Sequence, residues 1–399
     1  MELRLTEEQV AIQRMVRDFV KRKIRPIALD LDRLEDHEKR MPLDVLKSAS
    51  QLGLRTLALS KENGGSGADY LTCCIVTEEL AVGDIGIAAT LDQTSTFSHL
   101  WFDRAMTVKQ RERFLPNFLA DDMYHLAFAG HEPDTDLGWS YYNEVTPNTG
   151  YKTTAVQQSD GSWVINGIKN FITNGTIARL IAVQARTHAG TARFLVPSDT
   201  PGLTRQEHDK VGRRLGSNGE LFFNNVRVPA ENMLSQRGVA LGRGTPRFQA
   251  MNLGIGRAAF EAALEFTRQR VQGGKPIIQH QAVGQVLAEM SIELEAARSI
   301  IWKAAWAADH PEAYSNGSLP NLPLQTIAKV FTSQAVHRVC VLAMQLFGGM
   351  GVMRELPVQK YVRDALIFLH SEASNDVARL RIAEAVAGYD RAEPALVAG

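Results

Sequence analysis

Cysteine is scarce in this 399-residue chain: Cys73, Cys74 and Cys340 are the only three. They are too few and too badly spaced for a disulfide framework or a zinc site, so no metal centre is expected. All three lie in apolar segments and read as core filler. An excess of either charge is also missing, since 44 lysines and arginines balance 44 aspartates and glutamates. With no block of like charge, nothing favours nucleic acid or an anionic membrane surface as a partner. No apolar run approaches the roughly 18 to 20 residues needed to span a bilayer. The opening MELRLTEEQV is charged and lacks the apolar core of a signal peptide. The expectation is a cytoplasmic protein whose partner is a small molecule or another subunit.

What is present divides into three zones. The length exceeds what one growing core accommodates, which implies two or three domains. From Leu5 to about Leu126 apolar residues recur at helical spacing, as in Ile12, Met15, Val16, Phe19 and Val20. Thr6 with Gln9 and Thr107 with Gln110 fit capping boxes. From near Phe128 to about Leu234 come short β-type runs such as WVIN, LIAVQA and ELFFNNVRV, separated by turn residues. From Pro246 to Gly388 the helical period returns in long stretches, with apolar residues on more than one face. These segregated classes predict an α+β protein: an N-terminal helical domain (1–126), a middle β-barrel-like domain (127–236) and a C-terminal four-helix bundle (237–399). They argue against a doubly wound sheet.

The segment AMQLFGGMGV at 343–352 interrupts two helix-like stretches. It follows no strand, and its spacing fits neither the dinucleotide fingerprint nor the triphosphatase phosphate loop. Its glycines either end a helix in left-handed conformation or expose backbone amides to a phosphate, and spacing alone leaves both open.

The neighbourhood resolves this by resemblance. QLFGGMG followed by YVRDALIFLHSEASNDVAR resembles the C-terminal part of the acyl-CoA dehydrogenase family. HEPDTD at 131–136 looks like a degraded form of that family's flavin loop, and NGIKNFITNG at 166–175 like its flavin-facing strand. KVGRRLGSNGELFFNNVRVPAENML and RQRVQGGKPIIQHQAVGQVLAEM are similar to the end of the β domain and to the bundle helix with a pyrophosphate-contacting arginine. These stretches span the chain in the family's order.

The resemblance implies FAD as cofactor and Glu372 as the catalytic base. It places Phe128, His131, Phe171, Ile172 and Thr173 on the flavin, with Thr173 near the N5 edge. Arg270 would reach the pyrophosphate of a neighbouring subunit's FAD, and Gln281 with Gln345, Leu346, Phe347, Gly348 and Gly349 would close on the same dinucleotide. Ser374 and Asp376 stand where the family usually has other FAD-touching residues. The implied partners are an acyl-CoA substrate, an electron-transfer flavoprotein as electron acceptor, and further copies in a homotetramer or homodimer. The chemistry needs a base for the C–H alpha to a thioester and an acceptor for hydride from the beta carbon. No ordinary side chain accepts hydride, and a flavin does.

Departures from the pattern bear on substrate. The family's alternative base position falls on Gly244, and the arginine that follows it becomes Thr245, leaving Arg243 or Arg247 as substitutes for gripping CoA. His131 replaces a threonine, Gly273 replaces a phenylalanine, and the added stretch WSYYNEVTPN brings Trp139, Tyr141 and Tyr142. These changes suggest a cyclic, branched or otherwise bulky acyl group. The alternative keeps the fold with altered chemistry: an oxidase, a desulfinase or an acyl-carrier-protein dehydrogenase. A non-catalytic flavin or acyl-CoA binding module is the third reading, disfavoured by Glu372.

Overall fold

Both capping boxes form. In a computed structural model of the chain, the Gln9 amide donates to the Thr6 hydroxyl at 3.1 Å, while the Thr6 amide donates to the Gln9 side chain at 3.0 Å. Thr107 and Gln110 repeat the exchange. The structure describes residues 4–133, 150–234, 246–311 and 323–387, Ala373 excepted.

Seven α-helices come first: α1 (Glu7–Phe19), α2 (Arg25–Arg33), α3 (His37–Arg40), α4 (Leu43–Gln51), α5 (Tyr70–Gly83), α6 (Ile85–Ser98) and α7 (Val108–Ala120). Seven strands follow: β1 (His125–Ala129), β2 (Thr154–Gln157), β3 (Trp163–Thr173), β4 (Ala178–Thr187), β5 (Gly190–Pro197), β6 (Leu203–Glu207) and β7 (Asn218–Val228). The third zone holds α8 (Pro246–Gln269), α9 (Gln281–Asp309), α10 (Leu324–Leu346), α11 (Val358–His370) and α12 (Asn375–Ala387), with a small β8–β9 hairpin (Val271–Gln272, Lys275–Pro276) after α8. Among the described residues no helix is long and apolar enough to cross a membrane, and no cluster of His, Cys, Asp or Glu could hold a metal.

The expected barrel does not close. The sheet runs β1-β4-β2-β3-β7-β6, with β5 on β4, so its path ends at β1 and β6. Its two halves, β1-β4-β5 and β2-β3-β7-β6, meet through one pairing of β2 with β4, Thr154 opposite Arg186. So short a ladder lets the halves diverge instead of curling into a closed cylinder. One sheet face buries Ile165, Val183, Phe194 and Leu221, while Leu126, Leu180 and Leu195 pack on Trp101, Phe102 and Phe118 of the first helices.

The outer zones share a single core. One apolar cluster joins Val16, Ile24, Leu46, Leu80 and Leu91 to Leu253, Ile301, Val336 and Phe368. Helix α5, buried around nearly its whole circumference, is the element between them, as expected of a helix apolar on every side. The three cysteines are buried there. Burial pushes the Cys73 thiol up to about 11, and such thiols are inert fillers, not nucleophiles.

Candidate functional site

Strand β3 is where the sheet departs from regularity. Its register against β7 shifts between Lys169 and Ile172, a bulge of the kind that re-aims side chains beside active sites. Phe171 sits in that bulge with φ of 56°, in the left-handed region that a bulky residue rarely adopts. The Asn218 side chain holds the Phe171 carbonyl at 3.1 Å, and the Asn170 side chain accepts the Phe171 amide at 2.8 Å. The result leaves Phe171 61% exposed, its ring between His131 and His208 at centroid distances of 5.7 and 5.2 Å.

Ile172 turns into the sheet core at 2% exposure. Thr173 ends the strand. Its carbonyl accepts from Gln93 and its hydroxyl from Arg213, each at 3.0 Å. Asn174 follows, also left-handed, with its amide nitrogen on the Thr90 and Leu126 carbonyls. Phe128 packs against Phe97 at 6.0 Å.

Beside this strand the loop after β1 is anchored by charge. The buried Glu132 carboxylate accepts the Lys169 ammonium at 2.7 Å and the backbone amides of Lys152 and Thr153 at 2.6 and 3.0 Å. Lys169 also lies 4.4 Å from the centre of the Tyr151 ring, and burial lowers its pKa to about 8. His131, next to Glu132, is held below its usual range by burial and the Lys169 charge.

Glu372 lies in the connection between α11 and α12, two residues past the end of α11, and it too is left-handed, with φ of 63°. Desolvation, with Asp92 adding to it, pushes the pKa of its carboxyl up to about 8 against the pull of Lys329 and Arg381. The side chain nevertheless keeps exposed surface. Water in the open site therefore softens this push, and an apolar ligand that displaces the water restores it. Below it, the buried Lys329 ammonium donates to Asn375 at 2.6 Å. Ser374 caps α12 by accepting the Val377 amide. Asp376 faces solvent and pairs with Arg379. His370 is exposed at the end of α11.

The glycine run ends a helix and leaves backbone exposed. Helix α10 ends before it, and Gly348 takes φ of 59°. A Cβ on Gly348 or Gly349 would meet nothing within 4 Å, whereas on Gly351 it would lie 2.4 Å from the Met344 carbonyl oxygen. Gly351 is thus there for packing, and the first two leave bare backbone on a cleft of about 870 Å³. Arg270, Gln345, Leu346 and the stacked pair Phe266 and Phe347 (4.0 Å) line the same cleft. The Arg270 guanidinium is exposed and makes no ion pair among the described residues. Gln281 opens α9 on the surface, between His280 and Val283, both of which line the cleft. A cation, side-chain-free amides and an apolar wall suit a dinucleotide. The cleft lining includes none of Phe171, Thr173 or Glu372.

Several residues here were not singled out from sequence. Arg213, left-handed and buried, was one of two adjacent arginines with nothing to say which reaches Thr173; Arg214 goes instead to Glu35 at 3.0 Å. Asp364 accepts the Arg213 amide at 2.7 Å, and Arg363 donates to the Val211 carbonyl at 2.7 Å. The Arg-Asp-Ala motif therefore clamps the Thr173 side of the site to the helix that leads into Glu372. Arg247 is corrected: it is buried against Asp92 at 2.6 Å and cannot grip CoA. Arg243, Gly244, Thr245, Trp139, Tyr141 and Tyr142 lie outside the described residues.

Family models for the N-terminal, middle and C-terminal domains of acyl-CoA dehydrogenase match residues 6–122, 143–226 and 238–387. The butyryl-CoA dehydrogenase structure from Megasphaera elsdenii superposes with a TM-score of 0.84 at 31% identity, covering 97% of this chain and 100% of that one. A glutaryl-CoA dehydrogenase from Mycobacterium smegmatis in complex with FADH2 gives 0.78 at 25%, covering 96% of each. The cyclohex-1-ene-1-carbonyl-CoA dehydrogenase of Syntrophus aciditrophicus is 33% identical over 392 residues, 94% of this chain and 89% of its own. With three domain models in order, full-length similarity and a fitting cofactor cleft, this chain belongs to the acyl-CoA dehydrogenase family of FAD-dependent oxidoreductases.

Proposed function

We propose that the protein introduces an alpha,beta double bond into an acyl-CoA thioester. Glu372 removes the alpha proton, and the beta hydride leaves to FAD, which supplies the acceptor when bound. The observation that carries this is the placement of Glu372 on a strained segment after α11 that is tied through Asp364 and Arg213 to Thr173, with desolvation pushing its carboxyl upward. A base of raised pKa suits proton abstraction near neutral pH, and strain of this kind collects at functional sites. Phe171 and Thr173 would face the flavin, and Glu132 with Lys169 would hold the loop of His131 against it. Electrons then pass to an electron-transfer flavoprotein in the cytoplasm. Anaerobic addition of acyl-CoAs to the purified protein tests the reading: at least one thioester should bleach the bound flavin. A protein that holds no FAD after reconstitution, or an FAD that no thioester reduces, would count against it.

For the acyl group, a cyclic or otherwise bulky unit is the narrower proposal. Support comes from the Syntrophus relative's ring-bearing thioester and from the tilted pair of Phe248 and Phe368, ring centroids 4.6 Å apart, with Phe368 four residues before Glu372. Higher specificity for butyryl-CoA than for every cyclic or branched thioester would oppose it.

Because the cleft of Arg270 and the flavin-facing strand do not line one cavity in a single chain, each subunit would complete its neighbour's site in a homotetramer. A monomer in light scattering that binds FAD with full affinity would refute this.

Two results are expected here. Flavin reduction by substrate should climb as pH rises through the raised range of the Glu372 carboxyl, because the carboxyl must lose its proton to act. Stopped-flow rates across pH 5.5–9 check the direction, and a flat profile would place the base elsewhere. Among the glycines, Gly351→Ala should lower the thermal midpoint of the apoprotein, since its Cβ collides with backbone, whereas Gly349→Ala should leave that midpoint unchanged and weaken FAD retention.

A further inference from the structure

Arg213 is a buried cation without a matching anion. It is 7% exposed, and among the described residues it forms no ion pair. The carboxylates that act on its charge are already engaged: Glu207 holds Lys210, and Asp84 holds Lys360 at 2.8 Å. Its Nε has no hydrogen-bond partner. Among the described residues its side-chain hydrogen bond runs from Nη2 to the Thr173 hydroxyl at 3.0 Å.

Keeping an unpaired guanidinium in low dielectric is costly, and the fold does more than tolerate it. The backbone is bent to φ of 55° at Arg213, the amide is tied to Asp364, and Gly212 is pressed so close to the Arg363 carbonyl that a Cβ would come within 2.4 Å of its oxygen. The side chain is held by backbone anchors on one side and aimed at Thr173 on the other.

We propose that Arg213 is a positioning residue that raises the reduction potential of the flavin bound against Thr173, by presenting a fixed positive charge through that hydroxyl. This rests on the reading of Thr173 as flavin-facing. In the overall step the substrate loses its alpha proton to Glu372 and a hydride, two electrons and one proton, from the beta carbon. The isoalloxazine therefore goes from neutral to singly negative. A cation a few ångströms away favours the negative form over the neutral one, and more strongly in a dry site than in water. By donating to Thr173, Arg213 also occupies one of the hydroxyl's two lone pairs and leaves its proton for another acceptor.

The test uses the FAD-loaded protein, with the potential measured by spectrophotometric reduction against a reference dye in the absence of any acyl-CoA. Arg213→Gln keeps a donor to Thr173 and removes the charge. It should lower the equilibrium constant for two-electron reduction at least tenfold, about 30 mV for such a couple. Arg213→Lys keeps the charge and should stay within threefold of the wild type. Should glutamine prevent folding, Arg213→Met, which keeps the apolar stem, serves as the neutral variant. An unchanged potential in the neutral variant, or an equal drop in the lysine variant, overturns the proposal. A wild-type protein that takes up no FAD fails earlier and defeats the flavin-facing reading itself, so the two failures are told apart.

Discussion

Glu372→Gln is expected to keep the protein yellow and fully loaded with FAD while its reduction by substrate falls by about 10² to 10⁴-fold, the usual worth of a general base. Glutamine keeps the shape and can still accept a hydrogen bond, so the strained segment at φ of 63° has no new reason to collapse. What disappears is the basic oxygen, together with the pH dependence that its raised pKa imposes. The measurement is anaerobic stopped-flow bleaching with a thioester that works on the wild type, alongside cofactor stoichiometry. Wild-type rates in a fully loaded variant would move the base elsewhere, with His370 and Asp376 next in line. Asp376 already pairs with Arg379, which makes it the poorer of these two candidates.

The second large effect concerns stability. Lys169→Met should destabilise the middle sheet by about 3–5 kcal/mol, the cost of leaving one partner of a buried ion pair uncompensated. Both side chains are at most 1% exposed, so water cannot take the place of the missing ammonium beside Glu132. Removing the carboxylate as well, in Glu132→Gln with Lys169→Met, should recover part of the loss. Urea unfolding followed by tryptophan fluorescence reads this, because Trp163 lies in the sheet core against Phe194 at 5.1 Å. A double variant less stable than the single one would show that the pair is not the source of the effect.

How far the sequence reaches differs from element to element. Thr6, Gln9, Thr107 and Gln110 were legible because a cap is a local exchange over four residues. The alternation in β3 was legible for the same reason, and its bulge was not, since a register shift is defined only against β7. The barrel was overdrawn because closure depends on pairings between strands distant in sequence, and periodicity carries none of that information. Gly348 and Gly351 look alike in a string of letters, yet one lines open space and the other sits against a carbonyl. Arg213 shows the limit most clearly: of two neighbouring arginines, only the tertiary clamp of Arg363 and Asp364 decides which one reaches Thr173. Glu372 and the cofactor residues came from resemblance, which supplied a role that no spacing rule implied.

The single core shared by the first and last helical zones has a consequence for how the chain is made. Synthesis delivers α5 and its apolar surface long before α8 and α10, the helices that cover it. At about 5–20 residues per second the gap is on the order of tens of seconds. During that interval the nascent N-terminal third presents an unsatisfied hydrophobic face beside a sheet that is already able to pair its own strands. A ribosome that stalls or terminates before α10 would therefore release an aggregation-prone fragment and not a smaller folded protein, making late completion of the polypeptide a condition for solubility as well as for catalysis.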